Sequence, residues 1–564
     1  MKSMSREMQF RGADLMGFNY IYRPRWLLSG TFLMIFCTGA FATEDYGISG
    51  RPTLSEPYFD LARPVEVWQP STGKDQPQLG TVTPNANEEI RQILQKSLTI
   101  SNLKEIFPQV SDVNRRGFAA FYAERDYQPL WIEGGNWSSR AVRVINRLDR
   151  ADEDALEPDT YSVSKLQSDN LDAKTLAYAD LALSQAVVSY ARDARGARIN
   201  LAQLSKLITP KLELPDVEAI LSHLVTDPDT ENALASYNPQ HQGYLALKEK
   251  LTEFRDYTAS IAPDSESRDS VNQNLNTDIL KKNSEKSPNI AEIIANMERW
   301  RWLPSDLGDD RIEVNLPEYT ARVIRNGQLV HETRVIIGKQ STPTPLFSNK
   351  MVHLIVNPSW HVPASIVNKE ILPKLAEDPE YAVRNGYEIT ELDSGKVSIR
   401  QPPGGGNALG FIKFMFPNEH AVYLHDTPSR NLFANFERAY SHGCVRVENP
   451  FELAAILLDR PEYSEPRLKA MIGKGERLIR LKEPLPIHIT YFTLSVDESG
   501  AIRKLADVYG YDKSVAYALR KQPSKAVAAL RRTVEYSPVC FSQCSAIFGS
   551  IHHYCLQSEC PCWG

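Results

Sequence analysis

The sequence predicts a multidomain α+β protein in which a helical domain is followed by a mainly β domain that carries an insertion. Its 564 residues are enough for two or three domains of ~100–200 residues each. Apolar residues recur at helical spacings between residues 87 and 255. Between residues 311 and 495 they alternate instead, which is typical of half-buried strands. We therefore expect a helical domain over 87–255 and a mainly β domain over 291–515.

The N-terminal segment has the three-part pattern of a secretory signal. Arg23 and Arg25 precede an apolar run over 26–37, and a small-x-small tripeptide ends at Ala42. The run is short for a membrane-spanning helix, which needs ~20 residues. We expect an exported protein with a signal peptide over 1–42. This segment is cleaved near Ala42 or retained as an anchor in the inner membrane.

Two polar segments flank the predicted helical domain and are expected to act as linkers. Residues 43–86 are rich in proline and polar side chains, and residues 256–290 are rich in serine, asparagine and charge. Such compositions supply too little apolar surface to bury a core. Within the helical domain, the aromatic run at 121–131 is expected to supply packing anchors. The periodic apolar positions are Leu176, Ala179, Leu183, Val187, Tyr190, Tyr244, Leu247, Leu251 and Phe254.

The β region contains a hairpin signal and an insertion. Asn326-Gly327 separates two apolar runs, and both residues tolerate the positive φ that a tight hairpin turn requires. Further strand patterns occur at "RIEVNLP", "MVHLIVNP" and "AVYLH". Residues 364–406 interrupt this alternation with a helical pattern, "ASIVNKEILPKLAED", and a loop of three consecutive glycines. The pattern is compatible with a lid over a site and equally with a passive surface insertion.

Charge and cysteine usage restrict the function classes. A formal net charge of -6 without a long basic block argues against a nucleic-acid-binding protein. No cysteine occurs between Cys37 and Cys444, so the body of an exported chain would not be built on disulfides. Residues 516–564 form a C-terminal extension, expected to be an irregular tail without a catalytic role, whose thiols would otherwise bind zinc or form disulfides. It is cysteine-rich from residue 540, with Cys540, Cys544, Cys555, Cys560 and Cys562.

The segment "YLHDTPSRNLFANFERAYSHGCVRV" concentrates residues with chemical potential. A thiolate is the nucleophilic form of cysteine, so an active Cys444 needs a base, and His425 and His442 are the candidates. The N–H groups of Gly443 and Cys444 are candidate oxyanion donors. Arg446 would share a strand face with Cys444 and would favour the thiolate or hold a substrate carboxylate. From these residues alone, Cys444 remains a nucleophile, a small buried residue or a zinc ligand.

A histidine followed after fifteen residues by Ser-His-Gly-Cys resembles the signature of the L,D-transpeptidase family, which acts on peptidoglycan through a cysteine acyl-enzyme. The stretches "ANMERWRWLP", "LIVNPSWHVPASIVNKEILPKLAEDP" and "GCVRVENPFELA" resemble the large periplasmic subtype of Gram-negative bacteria. The resemblance implies that residues 87–255 are a helical scaffold domain and that 364–406 are a capping subdomain that gates the active site. In that subtype a peptidoglycan-binding module often precedes the catalytic domain. Here the segment 256–290 is too short and too hydrophilic to be that module.

The resemblance also assigns roles to residues by position. Cys444 would be the nucleophile, His425 its general base, and the backbone carbonyl of Asp426 the group that orients the imidazole. Gly443 would donate an oxyanion hydrogen bond through its N–H. No metal or other cofactor would be needed. The candidate substrate-binding residues are Ser441, His442, Arg446, Tyr423 and Trp360.

The implied activity is that of a peptidoglycan L,D-transpeptidase that forms 3→3 cross-links. Cys444 would be acylated by the meso-diaminopimelate of a donor tetrapeptide stem, and the amine of an acceptor stem would then attack the thioester. With water or a protein as acceptor, the same site would act as an L,D-carboxypeptidase or attach proteins to the wall. Carbapenems would acylate Cys444.

The implied location is the periplasm, and the implied partners are donor and acceptor stem peptides. Other wall synthases are candidate protein partners, and nucleic acid is not expected. Membrane contact would occur only through the signal segment or an uncleaved anchor. Two other classes remain open at this point: a hydrolytic cysteine peptidase or amidase, and a non-catalytic wall-binding protein.

Overall fold

A computed structural model describes residues 85–163, 172–261, 288–392 and 397–520. They belong to one compact unit that begins at Leu79. The expected signal peptide and the cysteines of the C-terminal extension lie outside the described residues, as do almost all of the first polar linker and most of the second. Among the helices of the described ranges, none combines the length and the apolar character that crossing a membrane requires.

The N-terminal half is helical, and polar side chains define where several of its helices begin. Ser111, Ser138 and Asp172 each precede a helix and accept a hydrogen bond from an N–H of its first turn, which satisfies a group that has no partner within the helix. The only strands before residue 300 in the described ranges form a short hairpin, Ile132–Glu133 with Asn136–Trp137. The helices are Asn85–Ser97, Ile100–Ile106, Asp112–Glu124, Ser139–Asp149, Pro158–Tyr161, Ala173–Arg192, Leu201–Leu204, Val217–Thr226, Thr230–Ala235 and Gln242–Ile261.

Helix Ala173–Arg192 lies at the centre of the helical domain and is buried on nearly all sides. The aromatic residues Phe121, Tyr122 and Trp131 pack in the same core, so the prediction that they are packing anchors is confirmed. The polar groups of Trp131 have partners on the central helix. The backbone N–H of Trp131 donates to the Asp180 carboxylate at 2.7 Å, and the indole N–H of Trp131 donates to the Ser184 hydroxyl at 2.8 Å.

One predicted limit of the helical domain differs from the structure. Helix Gln242–Ile261 continues past the predicted end at Arg255, and its apolar positions before that residue pack against the next helix, Ile290–Trp300. A second difference lies inside the domain, where Ile208 pairs with Leu346 as an isolated β-bridge and belongs to the core of the β domain. The helical and β domains therefore share a core. The sequence did not indicate this, because the paired residues are far apart in the chain.

The β domain is built on a nine-stranded sheet. In chain order the strands are β1 (Arg311–Asn315), β2 (Thr320–Arg325), β3 (Gln328–Gly338), β4 (Phe347–Val356), β5 (Ile412–Met415), β6 (Leu424–His425), β7 (Ala439–Ser441), β8 (Val445–Val447) and β9 (Arg477–Thr490). Their spatial order in the sheet is β7-β3-β8-β6-β5-β4-β9-β1-β2, and because β2 also pairs with β3, the sheet closes on itself. The core lies on the inner face and consists mainly of alternate aliphatic residues of these strands.

The predicted hairpin is present. Strands β2 and β3 are antiparallel, with Arg325 opposite Gln328, and Asn326 and Gly327 have φ values of +48° and +74°. These are left-handed conformations, which asparagine and glycine adopt more readily than other residues. The local sequence thus sets the register of the two strands.

The insertion between β4 and β5 forms a small subdomain with its own apolar core. Its helical part begins at Ala364 as predicted, and continues through Glu377. The predicted start at residue 364 was too late for the subdomain as a whole, because Trp360–His361 already pairs with Val397–Gln401. The remaining elements are the helix Tyr381–Arg384 and the strand Glu388–Glu391, which completes a three-stranded sheet.

The predicted end of the β domain at residue 515 was wrong, since it falls inside helix Tyr511–Arg520. Val515 and Leu519 of that helix are buried in the core of the β domain, so the domain extends at least to its end. The other elements that follow β8 are the helices Pro450–Leu458 and Glu465–Lys469 and the hairpin Leu494–Val496 with Ile502–Lys504.

Candidate active site

Strand pairing brings the two halves of the His-x15-Ser-His-Gly-Cys pattern together. In the parallel pair β6 and β8, His425 lies directly opposite Arg446, and in the antiparallel pair β5 and β6 it lies opposite Lys413. Residues that face each other in a sheet project from the same side, and so do residues two apart on one strand. Cys444, at the entry of β8, and Tyr423, at the entry of β6, therefore lie on the same side as His425. Cys444 is half-buried.

The imidazole of His425 is held in one tautomer. Its Nδ1 lies 2.5 Å from the backbone oxygen of Asp426, and a carbonyl oxygen only accepts, so Nδ1 carries the hydrogen and Nε2 keeps its lone pair. Burial, followed by the charge of Arg446, lowers the pKa of His425 to about 3, while the bond to Asp426 acts in the opposite direction and Lys413 adds a smaller lowering effect. His425 is therefore neutral at physiological pH and able to accept a proton through Nε2.

The carboxylate of Asp426 stabilises the surrounding loop and makes no hydrogen bond to the imidazole of His425. The Phe411 backbone N–H donates to it at 2.9 Å, and Arg430 donates at 3.0 Å. Gly410 leaves room for this carboxylate: a Cβ there would lie 2.4 Å from a carboxylate oxygen, and its φ is +60°. The contribution of Asp426 to the site is its backbone oxygen.

Internal hydrogen bonds fix the turn that carries Cys444. The Ser441 hydroxyl donates to the Cys444 backbone oxygen at 2.5 Å and accepts the Gly443 N–H at 3.1 Å. Gly443 has a φ of +115°, a conformation that side chains with a Cβ rarely adopt. Ser441 is buried and both of its hydroxyl bonds are internal, so it shapes the turn in this structure, and its contact with substrate stays a prediction.

The N–H of Gly443, predicted to be an oxyanion donor, is bonded to the Ser441 hydroxyl in this structure, and its oxyanion role stays a prediction. The adjacent N–H of Cys444 makes no hydrogen bond to any described residue. It is therefore the main-chain donor of this turn that remains free for a developing oxyanion. Gly443 contributes through its backbone conformation.

The thiol of Cys444 rests against Tyr423. The hydroxyl and the main chain of Tyr423 lie close enough to the sulfur to favour the thiolate, and Trp360 lies near the same hydroxyl. Burial raises the pKa of the Cys444 thiol, whereas these Tyr423 contacts and the charges of Lys413 and Arg446 oppose the increase. Trp360 belongs to the insertion, so two predicted substrate-binding aromatics form a chain of contacts from the insertion to the nucleophile.

His442 faces the insertion and not the thiol pocket. Its Nε2 lies 2.6 Å from a carboxylate oxygen of Glu370, and Lys339 Nζ lies 3.4 Å from the same nitrogen. This contact makes His442 an unsuitable base for Cys444 and also removes it from the zinc ligand set considered from the sequence. Within the described ranges, no three side chains from histidine, cysteine, aspartate or glutamate converge in an arrangement that would hold a metal ion.

Two cations lie near the thiol. Arg446 was predicted and is half-buried, with its Nε enclosed and without a hydrogen-bond partner in the described residues. Lys413 was missed: its Nζ lies 3.9 Å from the centre of the Tyr423 ring. The sequence signal for Lys413 was weak, because a lysine between Ile412 and Phe414 resembles an ordinary solvent-facing strand position.

Comparison with protein families identifies two regions. A family model described as a scaffold domain matches residues 116–251. A second model, described as an L,D-transpeptidase catalytic domain, matches residues 309–467, which includes β1 through β8 and the complete site. The helical half and the β half of the described chain thus each match one family model.

A curated relative from Haemophilus influenzae that carries the L,D-transpeptidase name is 36% identical over 251 residues. The match covers 41% of this chain and 50% of the relative, so the chain spans about half the length of that protein. Among solved structures, an L,D-transpeptidase from Mycobacterium smegmatis is 14% identical. The match covers 32% of this chain and 58% of that protein's chain, with a TM-score of 0.18. The E. faecium L,D-transpeptidase catalytic domain acylated by ertapenem is 16% identical. The match covers 32% of this chain and 96% of that domain, with a TM-score of 0.15.

Proposed function

We propose that the chain is a member of the L,D-transpeptidase family and that it is an acyltransferase that acts on peptidoglycan stem peptides through Cys444. The catalytic-domain match over residues 309–467 and the 36% identity to the curated relative support this proposal. The observation that carries the proposal is the hydrogen bond between His425 Nδ1 and the Asp426 oxygen. It leaves Nε2 as the proton acceptor on the side of the sheet where Cys444 lies. A buried structural cysteine would not require a neutral, oriented imidazole beside it.

The reaction begins from a neutral thiol and a neutral imidazole. Both states follow from the surroundings, since burial raises the pKa of Cys444 and lowers that of His425. His425 Nε2 takes the thiol proton as the sulfur attacks the donor carbonyl. A resting thiolate is not needed, because the base removes the proton during attack.

The tetrahedral intermediate carries its negative charge on the former carbonyl oxygen. The free N–H of Cys444 is the main-chain donor offered to that oxygen, and one such donor is typically worth ~10²–10³ in rate. The protonated His425 then gives its proton to the leaving amine, and the carbon–nitrogen bond breaks. A thioester on Cys444 and a free terminal D-alanine result.

The finer activity in the proposal is 3→3 cross-linking. The acyl group comes from the meso-diaminopimelate of a tetrapeptide stem, and the side-chain amine of a second stem attacks the thioester. Water in place of that amine gives an L,D-carboxypeptidase reaction, and a protein amine gives attachment to the wall. The N-terminal pattern of arginines before the run at 26–37 supports a periplasmic location, where these substrates occur.

Incubation with purified tetrapeptide muropeptides, followed by chromatography and mass spectrometry, tests the activity. We expect cross-linked dimers and released D-alanine from the wild type, and neither from Cys444→Ala. His442→Gln is the matched control, because it removes the other histidine of the motif, and it should retain turnover. Shorter monomers without dimers would restrict the enzyme to hydrolysis, and no product at all would contradict the proposal.

Carbapenem exposure tests the nucleophile without a peptide substrate. We expect a covalent adduct on the peptide that contains Cys444 in the wild type and none at that position in Cys444→Ala. An equal adduct in both proteins would place the reaction on another residue and would refute the assignment.

A further inference from the structure

The site contains two cations that have no carboxylate partner. Lys413 and Arg446 lie on either side of His425 in the sheet, each directly opposite it in register. In the described ranges neither makes an ion pair. The negative charges that reach Lys413 are those of a Cys444 thiolate and of Glu476, and for Arg446 only that of Cys444.

Glu476 acts on Lys413 only through its charge and forms no ion pair with it within the described residues. One oxygen of Glu476 accepts both the backbone N–H and the hydroxyl of Ser359, at 3.0 and 2.8 Å. With a neutral thiol and a neutral His425, the resting pocket therefore holds two cations, neither of which is paired with a carboxylate in the described residues. Both cations are half-buried, so solvent screens them only in part.

Such an arrangement is costly unless a ligand supplies the missing charge. Burial disfavours the charged forms of Lys413 and Arg446, and the enclosed Nε of Arg446 lacks an acceptor. A ligand carboxylate would offset both costs, since guanidinium and ammonium groups are its preferred partners. The Tyr423 ring beneath Lys413 Nζ holds the ammonium in place for this task.

We propose that Lys413, together with Arg446, binds the α-carboxylate of the terminal D-residue of the donor stem, and so selects donors whose scissile bond lies one residue from a free C-terminus. The inference rests on the proposed function. It adds a substrate-binding residue, Lys413, that neither the sequence pattern nor the family comparison assigned.

The reach of the groups is consistent with this assignment. In the leaving residue the carboxylate is separated from the scissile nitrogen by a single Cα, so it lies within roughly one residue length of the attacking sulfur. Neighbouring strands are about 4.8 Å apart, which places Lys413 and Arg446 on the two strands that flank His425. A carboxylate further along the donor, such as that at the end of the diaminopimelate side chain, would lie several bonds more distant.

The experiment compares a tetrapeptide donor with the same peptide carrying a C-terminal amide. For each, kcat/KM for release of the terminal residue is measured by mass spectrometry in wild type, Lys413→Met, Lys413→Arg and Lys350→Met. Lys350 is an exposed lysine of the same sheet, and its variant controls for loss of one positive charge. Thermal unfolding shows whether each variant is folded.

We expect the wild type to prefer the acid over the amide by roughly tenfold to hundredfold, the usual worth of a charge-assisted hydrogen bond. Lys413→Met should lose most of this preference by losing activity on the acid alone, mainly through KM. Lys413→Arg should retain part of it, and Lys350→Met all of it.

Equal losses on acid and amide in Lys413→Met would overturn the inference and would indicate a role in supporting the thiolate. Equal turnover of the two substrates by the wild type would also overturn it, even if Lys413→Met did not fold. An inactive wild type on both substrates would instead contradict the proposed function itself, so the two failures are distinguishable.

Discussion

Acid tolerance of the acylation step follows from the environment of His425. Its pKa is lowered to about 3, first by burial and then by Arg446. A lowered histidine pKa means that the neutral base is present at every pH above the lowered value and is lost only as the pH falls through it. Relative to an exposed histidine with a pKa of ~6.5, the pocket disfavours the imidazolium by roughly 5 kcal/mol.

The expected magnitude in activity can be worked from the same shift. A base with an ordinary pKa of ~6.5 would be about 3% neutral at pH 5, and its rate would fall about 25-fold between pH 7 and pH 5. With the lowered pKa of His425, less than about 2% of the base is protonated at pH 5, so the rate should stay almost constant.

Single-turnover acylation of Cys444 by a tetrapeptide donor, quenched and quantified by intact mass, measures this step between pH 5 and pH 8. The carboxylates of the donor titrate below this range, so they do not disturb the profile.

An acid limb near pH 6.5 in the wild type would refute the reasoning, because it would mean that His425 titrates as an exposed histidine. A fall in rate above pH 8 is a separate matter, since it would report groups other than this base.

Three further changes have expected outcomes. Gly443→Ala places a Cβ at a φ of +115°, so urea unfolding should show a loss of about 1–3 kcal/mol together with slower carbapenem acylation; unchanged stability would contradict the strain argument. Asp426→Asn keeps the backbone oxygen that orients the base, so kcat should fall less than about threefold, whereas a ~10⁴-fold fall would identify a catalytic acid. Glu370→Gln removes the charged partner of His442, a contact worth about 0–1 kcal/mol. Hydrogen exchange in the insertion should therefore accelerate up to about fivefold, whereas the control Glu377→Gln should leave the exchange rate unchanged.

Much of the fold was predictable because it depends on local physics. The hairpin at Asn326-Gly327 follows from the φ values that these two residue types tolerate, and the structure has it. The change from helical to alternating periodicity likewise separates the two halves of the chain. The aromatic run near Trp131 was correctly interpreted as core, because large rings that recur in a helical region have few other places to pack.

The features that were missed depend on pairing between distant segments. Ile208 lies in the core of the β domain because it pairs with Leu346, and no pattern within its own segment indicates this. Lys413 becomes part of the site only because β5 lies beside β6, which places it opposite His425. The engagement of the Gly443 N–H by Ser441 depends on rotamers that the sequence does not specify.

The position of the insertion and the state of the nucleophile are physically linked. Trp360 lies near the Tyr423 hydroxyl, and that same hydroxyl lies near the Cys444 sulfur and favours the thiolate. A movement of the insertion that withdraws Trp360 changes the partners of the hydroxyl, and with them the stabilisation of a thiolate. On the other side of the turn, Glu370 bonds to His442, two residues from Cys444. The insertion thus lies near both flanks of the nucleophile, so a movement of the insertion would alter the reactivity of Cys444 as well as the access to it.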